Sequence, residues 1–416
     1  MKRRNFVKGI MATAGSSMWL SGMPFNFKVN LAQAAAGKTL VVVFQRGGCD
    51  GLNEVVPYGD SHYYDLRPTI GIAPPDDSNP EAALDLNGYF GLHPAMAEMM
   101  PLWQNNHLAV MPAVHYPNGS RSHFTGQHYI ESGQSVRESD GWLNRHIQSQ
   151  MFDVPFRAVS FGNDLAQSLR GAESVSALTN LNAFSLGINS EEQSLLLSNL
   201  LQVYQQPAKQ LTNHQLLNRF GRKMLGDLDI IAQVRDAGYT PAQNANYPSN
   251  GFANQLRETA QLIKAGVGLE LATVSIGGWD THANQGGGTT TGRQGRSLKT
   301  FADGLAAFYR DIQSHLDDVV VLTMTEFGRT SRENGSFGTD HGYASAWFAF
   351  GGGIQGGIYG DWPGLAADQL HNGRYLAMAT DYRDIYAEIL SNHLTNADIN
   401  SVLPGFNASS LGLFNV

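Results

Sequence analysis

The chain has 416 residues, 42% of them hydrophobic and 15% charged, with a formal net charge of −8. That balance excludes an intrinsically disordered chain, and no apolar run reaches the roughly 18 residues that an integral membrane span needs. The single cysteine, Cys49, excludes an internal disulfide framework and a cysteine-built zinc site.

In chain order, the first predicted element is an address rather than fold. Residues 2–8 read Lys-Arg-Arg-Asn-Phe-Val-Lys, a mildly apolar stretch runs from Ile10 to Met23, and Ala32-Gln33-Ala34-Ala35-Ala36 offers a cleavage site. Basic, apolar and small-residue regions in that order resemble a twin-arginine signal peptide over residues 1–36. The twin-arginine translocase is then a partner during export, and the expected location is periplasmic or secreted, in the bacterial envelope. The segment holds five basic side chains and no acid, which leaves 23 of the 28 basic groups against 36 acids, a net of −13 for residues 37–416. Such a surface disfavours nucleic acid and anionic membranes as partners.

The rest reads as one α/β domain over residues 37–416. Thr39–Gln45 is a continuous β-branched run, the pattern of a strand buried on both faces. Pro94–Trp103 is apolar at helical spacing, and Leu108–Val114 is the next strand. Ser122 stands like the N-cap of a short helix running to Ser132. Arg157–Phe161, Leu269–Ile276, Val319–Thr325 and Ala346–Phe350 read as further strands. Helices are predicted over Asn213–Ala237, Phe252–Ala265, Arg296–Leu316 and Asp381–Leu394, with a helical insertion near residues 190–265. Strands separated by helices imply a mostly parallel central sheet with helices on both faces, whose ligands bind at the carboxyl ends of the strands.

Four polar clusters fall at or near those ends: Gly48-Cys49-Asp50-Gly51-Leu52-Asn53, Ser120-Arg121-Ser122-His123-Phe124-Thr125-Gly126, Trp279-Asp280-Thr281-His282-Ala283-Asn284-Gln285, and Thr325-Glu326-Phe327-Gly328-Arg329-Thr330 leading to Asp340-His341. Closely spaced carboxylates and imidazoles suit a divalent cation, Zn²⁺ or Mn²⁺. Asp50, Asp280, His282, Glu326, Asp340 and His341 are the candidate ligands, with His371 as a late one. His123, Asn284 and Asn53 are candidates for orienting them. Taken alone, Ser122 suits a plain helix cap, Asp50 a turn, and Glu326 an ion pair with Arg329.

The order of the clusters resembles the alkaline phosphatase superfamily, which includes cofactor-independent phosphoglycerate mutases and sulfatases. The four phrases together resemble more closely a family of twin-arginine-exported bacterial proteins of unknown function grouped with that superfamily. The resemblance implies an alkaline-phosphatase-like fold and a metal-dependent hydrolase or transferase acting on a small phosphoester or an envelope-derived substrate. It further implies Ser122 as nucleophile, Arg121 on the phosphate oxygens, Asp50, Ser122, Asp340 and His341 at one metal, and Asp280, His282 and a late histidine at another. The spacing of Asp280 and His282 is shorter than the superfamily's. An alternative is a non-catalytic exported binding or assembly protein on the same fold. A sulfatase ranks lower, because the segment after Ser122 lacks the x-Pro-x-Arg that such enzymes carry.

Overall fold

The computed structural model describes residues 37–134, 140–150, 156–183, 196, 199–200 and 212–414. The segment read as a signal peptide, and most of residues 190–211 of the expected helical insertion, lie outside the described residues.

Twelve strands follow in chain order among the described residues: β1 Thr39–Arg46, β2 Val55–Val56, β3 Leu84–Asp85, β4 Gly91–Leu92, β5 Leu108–His115, β6 Ala158–Phe161, β7 Ser176–Leu178, β8 Leu271–Gly277, β9 Val319–Met324, β10 Ser345–Gly351, β11 Gly357–Ile358 and β12 Thr380–Asp381. β2, β4 and β3 make a small antiparallel sheet. The others build one sheet in the order β11-β5-β10-β9-β1-β8-β6-β7, with β12 also on β5. β1 lies at its heart, paired in parallel with both β8 and β9.

The fold is thus α/β with a mixed, mostly parallel central sheet. The departure is β10, which runs antiparallel to both β9 and β5. No helix intervenes between β9 and β10, so the chain turns back beside the strand it has left. The consequence is functional. The residues that precede β10 reach the same edge as those that follow β1, β5, β8 and β9.

Helices α1 His123–Ser132, α2 Trp142–Ser149, α3 Thr212–Asp236, α4 Gly251–Lys264, α5 Arg293–Asp311 and α6 Tyr382–Glu388 supply the main cover. Alternate side chains of β1 point to opposite faces. Val41 and Val43 join a core with Leu256 of α4 and with Phe301 and Leu305 of α5. Leu40, Val42 and Phe44 join a second core with Trp142 of α2 and with Ile385 and Tyr386 of α6. Burial on both faces is why β1 reads as unbroken apolar sequence rather than as an alternation. α4 shows the local logic of the helices. Asn250 caps it by accepting from the Ala253 N–H at 2.9 Å, and Phe252, Leu256 and Ala260, four residues apart, are all buried. The helix expected over Pro94–Trp103 is instead a 3₁₀ segment, Pro94–Met99, followed by a helix over Met100–Gln104. Pro101 has no N–H to bond back to Ala97, so the first run cannot continue unbroken. No helix among the described residues is long and apolar enough to cross a membrane.

Candidate metal centre

The loops after β1 and β8 touch through a glycine. Gly47 adopts φ +127°, and a Cβ there would stand 2.9 Å from the Asp280 backbone nitrogen. Only glycine permits both the conformation and the approach. Arg329, buried in the loop after β9, fastens the same loops together. Its Nε donates to the Gly48 carbonyl at 2.6 Å, Nη2 to the Trp279 carbonyl at 3.1 Å and Nη1 to the Thr339 carbonyl at 3.2 Å. Nη2 also donates to Asp280 Oδ1 at 2.6 Å. One guanidinium thereby sets the relative position of three loops, those after β1 and β8 and the one that leads into β10, and also holds the carboxylate of Asp280 in the second of them.

His123, Asp280 and His341 come together at this edge, with one ligand atom from each lying within 4.8 Å of the others. Each imidazole is turned by its other nitrogen. His123 Nδ1 is 2.8 Å from Glu326 Oε1, and His341 Nδ1 is 2.8 Å from the Arg121 carbonyl oxygen. Both partners are acceptors, so in the neutral Nδ1–H form of each ring Nε2 turns a lone pair inward. His123 Nε2 is buried and has no hydrogen-bond partner, and Asp280 Oδ2 stands 3.6 Å from it. His341 Nε2 is 3.3 Å from Asp280 Oδ1. His282 adds a third imidazole: its Nδ1 meets Asp340 Oδ1 at 3.2 Å, and its Nε2 lies 3.0 Å from both Asp280 Oδ1 and His341 Nε2. Ligands about 2.1 Å from a tetrahedral ion stand roughly 3.4 Å apart, and these separations bracket that value. Inward lone pairs facing a carboxylate are the donor set a divalent cation takes, so the residues fit a metal ion.

The electrostatics keep the carboxylates charged and His341 neutral, while His123 is drawn towards its protonated form, whose extra proton a cation would have to displace. Burial opposes charge on Asp280, but the Arg329 hydrogen bond and charge, with His282 and His123, hold its carboxyl below the usual range. Burial likewise opposes charge on Glu326, and hydrogen bonds from His123 and Gln127 outweigh it, so Glu326 remains a carboxylate. Its bond to His123 raises that imidazole above the ordinary histidine value, against a desolvation that lowers it. Burial pushes His341 down, which favours the neutral, ligand form.

Several of the predicted residues meet here and others do not. Asp280, His282 and His341 converge, and Asp340 holds His282 while also accepting from Asn334 at 3.1 Å. Glu326 and His123 exchange their expected parts, because Glu326 follows β9 directly and is buried beneath the loops, whereas His123 opens α1 and leans over it. Asp50 lies elsewhere. Its buried carboxylate takes both arms of Arg67, at 2.6 and 2.8 Å, and the Gln285 amide at 2.6 Å. Asn53 serves that ion pair, with Oδ1 accepting from Arg67 at 2.6 Å and from Tyr63 at 2.8 Å. His371 stacks on Tyr343 at 4.1 Å and meets Asn372 at 3.0 Å rather than joining the centre. Asn284 takes a left-handed turn with φ 48° and an exposed side chain. The Arg121 side chain hydrogen-bonds to the Tyr375 hydroxyl and lies over that ring. Ser122 caps α1 with its backbone only, and its exposed hydroxyl makes no capping bond.

Two contributors went unrecognised from sequence. Gln127 donates to Glu326 Oε1 at 3.0 Å, and its place one helical turn after His123 was the available signal. Arg67 carried no local signal, since its partner Asp50 is 17 residues away.

Residues 37–404 match the model of a protein family described as a protein of unknown function (DUF1501), and the chain belongs to that family. No curated protein matches it. Among solved structures it is similar to the crystal structure of Ps i-CgsB in complex with k-i-k-neocarrahexaose, at 10% identity and a TM-score of 0.37, over 89% of this chain and 75% of that one.

Proposed function

Starting from membership in a family whose function is unknown, we propose that this chain is a metal-dependent hydrolase or transferase of phosphoesters that works in the bacterial envelope. The observation that carries the reading is the buried, unpartnered His123 Nε2 facing Asp280 beside His341. His123, Asp280 and His341 would hold a divalent cation, Zn²⁺ or Mn²⁺, with His282 as a further donor. Such an ion supplies Lewis-acid stabilisation of the charge that develops on a phosphoryl oxygen.

The chain's own residues supply the rest. Glu326 and the Arg121 carbonyl keep two imidazoles turned inward, and Arg329 keeps Asp280 charged. Ser122 precedes His123 at the start of the ten-residue α1, where the helix end favours an anion. Its Oγ displaces the alcohol from phosphorus, and water then releases phosphate from the serine. The test is metal analysis and p-nitrophenyl phosphate turnover after expression with added zinc or manganese. We expect about one ion per chain, its loss in His341→Ala, and retained metal with abolished turnover in Ser122→Ala. Full activity in Ser122→Ala removes the serine from the mechanism. A stoichiometry near zero supports a non-catalytic binding or assembly protein instead, and turnover of aryl sulfates alone supports a sulfatase.

A further inference from the structure

A cleft of about 590 Å³ opens beside α1, on the side of the centre formed by the ends of β1, β8 and β6. Phe124 stands in its wall, next in sequence to His123, with its ring 89% exposed. An uncovered phenyl ring forgoes the free energy of burial, and this one does so at the mouth of a cleft that shares a wall with the centre. Gln127 is that shared wall. Its amide donates to Glu326 at 3.0 Å, and its carbonyl accepts from Arg46 at 3.0 Å.

Phe161, Leu165 and Ala166 add apolar surface to the cleft, and the polar groups beside them decide what would cover the ring. Arg46 is already paired with Glu131 at 3.1 Å, so its charge is neutralised within the protein. Asp164 adds an exposed carboxylate, Asn163 an exposed amide, and Arg170 an exposed guanidinium whose Nε donates to the Leu165 carbonyl at 3.1 Å. A carboxylate repels a second anionic group, yet it accepts hydrogen bonds from hydroxyls readily. An apolar ring face bordered by acceptors and amides suits a molecule with one apolar face and a girdle of hydroxyl groups. We propose that this cleft is a subsite for a sugar ring of the substrate, with Phe124 as the platform on which the ring lies and Asp164 and Asn163 receiving its hydroxyls. The proposal rests on the phosphoester reading above, in that it names a sugar phosphate as the class of substrate.

The experiment compares glucose 6-phosphate with the acyclic glycerol 3-phosphate on the zinc-loaded full chain, and adds saturation-transfer NMR of glucose 6-phosphate binding. We expect Phe124→Ala to raise KM for glucose 6-phosphate on the order of tenfold, with kcat little changed. Glycerol 3-phosphate is expected to respond little, Phe124→Trp to restore KM, and Phe337→Ala, an exposed ring outside the cleft, to leave it unchanged. If neither ester is turned over, the phosphoester reading fails, and the NMR signal still decides the subsite: its loss in Phe124→Ala supports the sugar platform. Equal binding in both proteins overturns it. Stronger saturation transfer to the base of adenosine 5′-phosphate than to glucose 6-phosphate also overturns it, in favour of a site for a base.

Discussion

His123 has two ring nitrogens with separate tasks. Nδ1 meets the Glu326 carboxylate at 2.8 Å, and Nε2 is buried without a hydrogen-bond partner. The carboxylate does more than orient the ring, because a charged acceptor raises the electron density that Nε2 can offer a cation. Glu326 is in turn held by the Gly47 N–H at 2.9 Å and the Gln127 amide at 3.0 Å, so it has little freedom to swing towards the centre as a ligand. Glu326→Gln keeps the size and the acceptor but loses the charge. Its affinity for zinc is expected to fall roughly 10–100-fold, read by competition with a chromophoric chelator. Unchanged affinity would show that the carboxylate does not act on the metal through His123.

Among elements, the segments before and after the strands matter more than the strands. Because β10 runs antiparallel to its neighbours, the loop that carries Asp340 and His341 approaches from above rather than leaving from below. It packs on the loop after β8 with almost no clearance. A Cβ at Gly338 would stand 2.5 Å from the His282 carbonyl oxygen and 2.6 Å from that of Thr281. Both are backbone atoms, which cannot yield as the tip of a side chain can. Gly338→Ala should therefore push the loops apart, at a cost of about 1–3 kcal/mol in stability. It should weaken metal binding as well, since His341 and Asp280 belong to the two loops being parted. Thermal melting and metal content measured together check this, and a variant that keeps both would mean that the loops do not depend on their close packing.

At the scale of the molecule, distant parts of the chain are joined by buried charges. Arg67 binds Asp50 in a two-pronged pair and also donates to the carbonyls of Ser331 at 3.0 Å and Thr330 at 3.1 Å, 264 and 263 residues further on. Together with Arg329 it ties the early loops to those that lead into β10. Truncating one partner strands the other charge in the interior, so Asp50→Ala is expected to lose about 3–5 kcal/mol in denaturant unfolding. Where that variant still folds, it should keep its metal. Loss of the ion from a folded Asp50→Ala protein would return Asp50 to the ligand set.

The strands were legible in the sequence because a strand buried on both faces must be apolar throughout, and Thr39–Arg46, Leu271–Gly277 and Val319–Met324 state that requirement locally. The edge at which chemistry gathers was legible too, since parallel strands bring Asp280 and Glu326 to one end whatever else the chain does. Which acid faces a metal and which faces a protein cation was decided only in three dimensions. Asp50 and Asp280 sit alike after glycine-rich strand ends, and an arginine reaches each of them, Arg67 at Asp50 and Arg329 at Asp280. Arg67 engages both oxygens of Asp50, whereas Arg329 leaves Oδ2 of Asp280 turned towards His123. That difference arises from contacts between residues far apart in sequence, and no local pattern encodes the direction in which a side chain finally points.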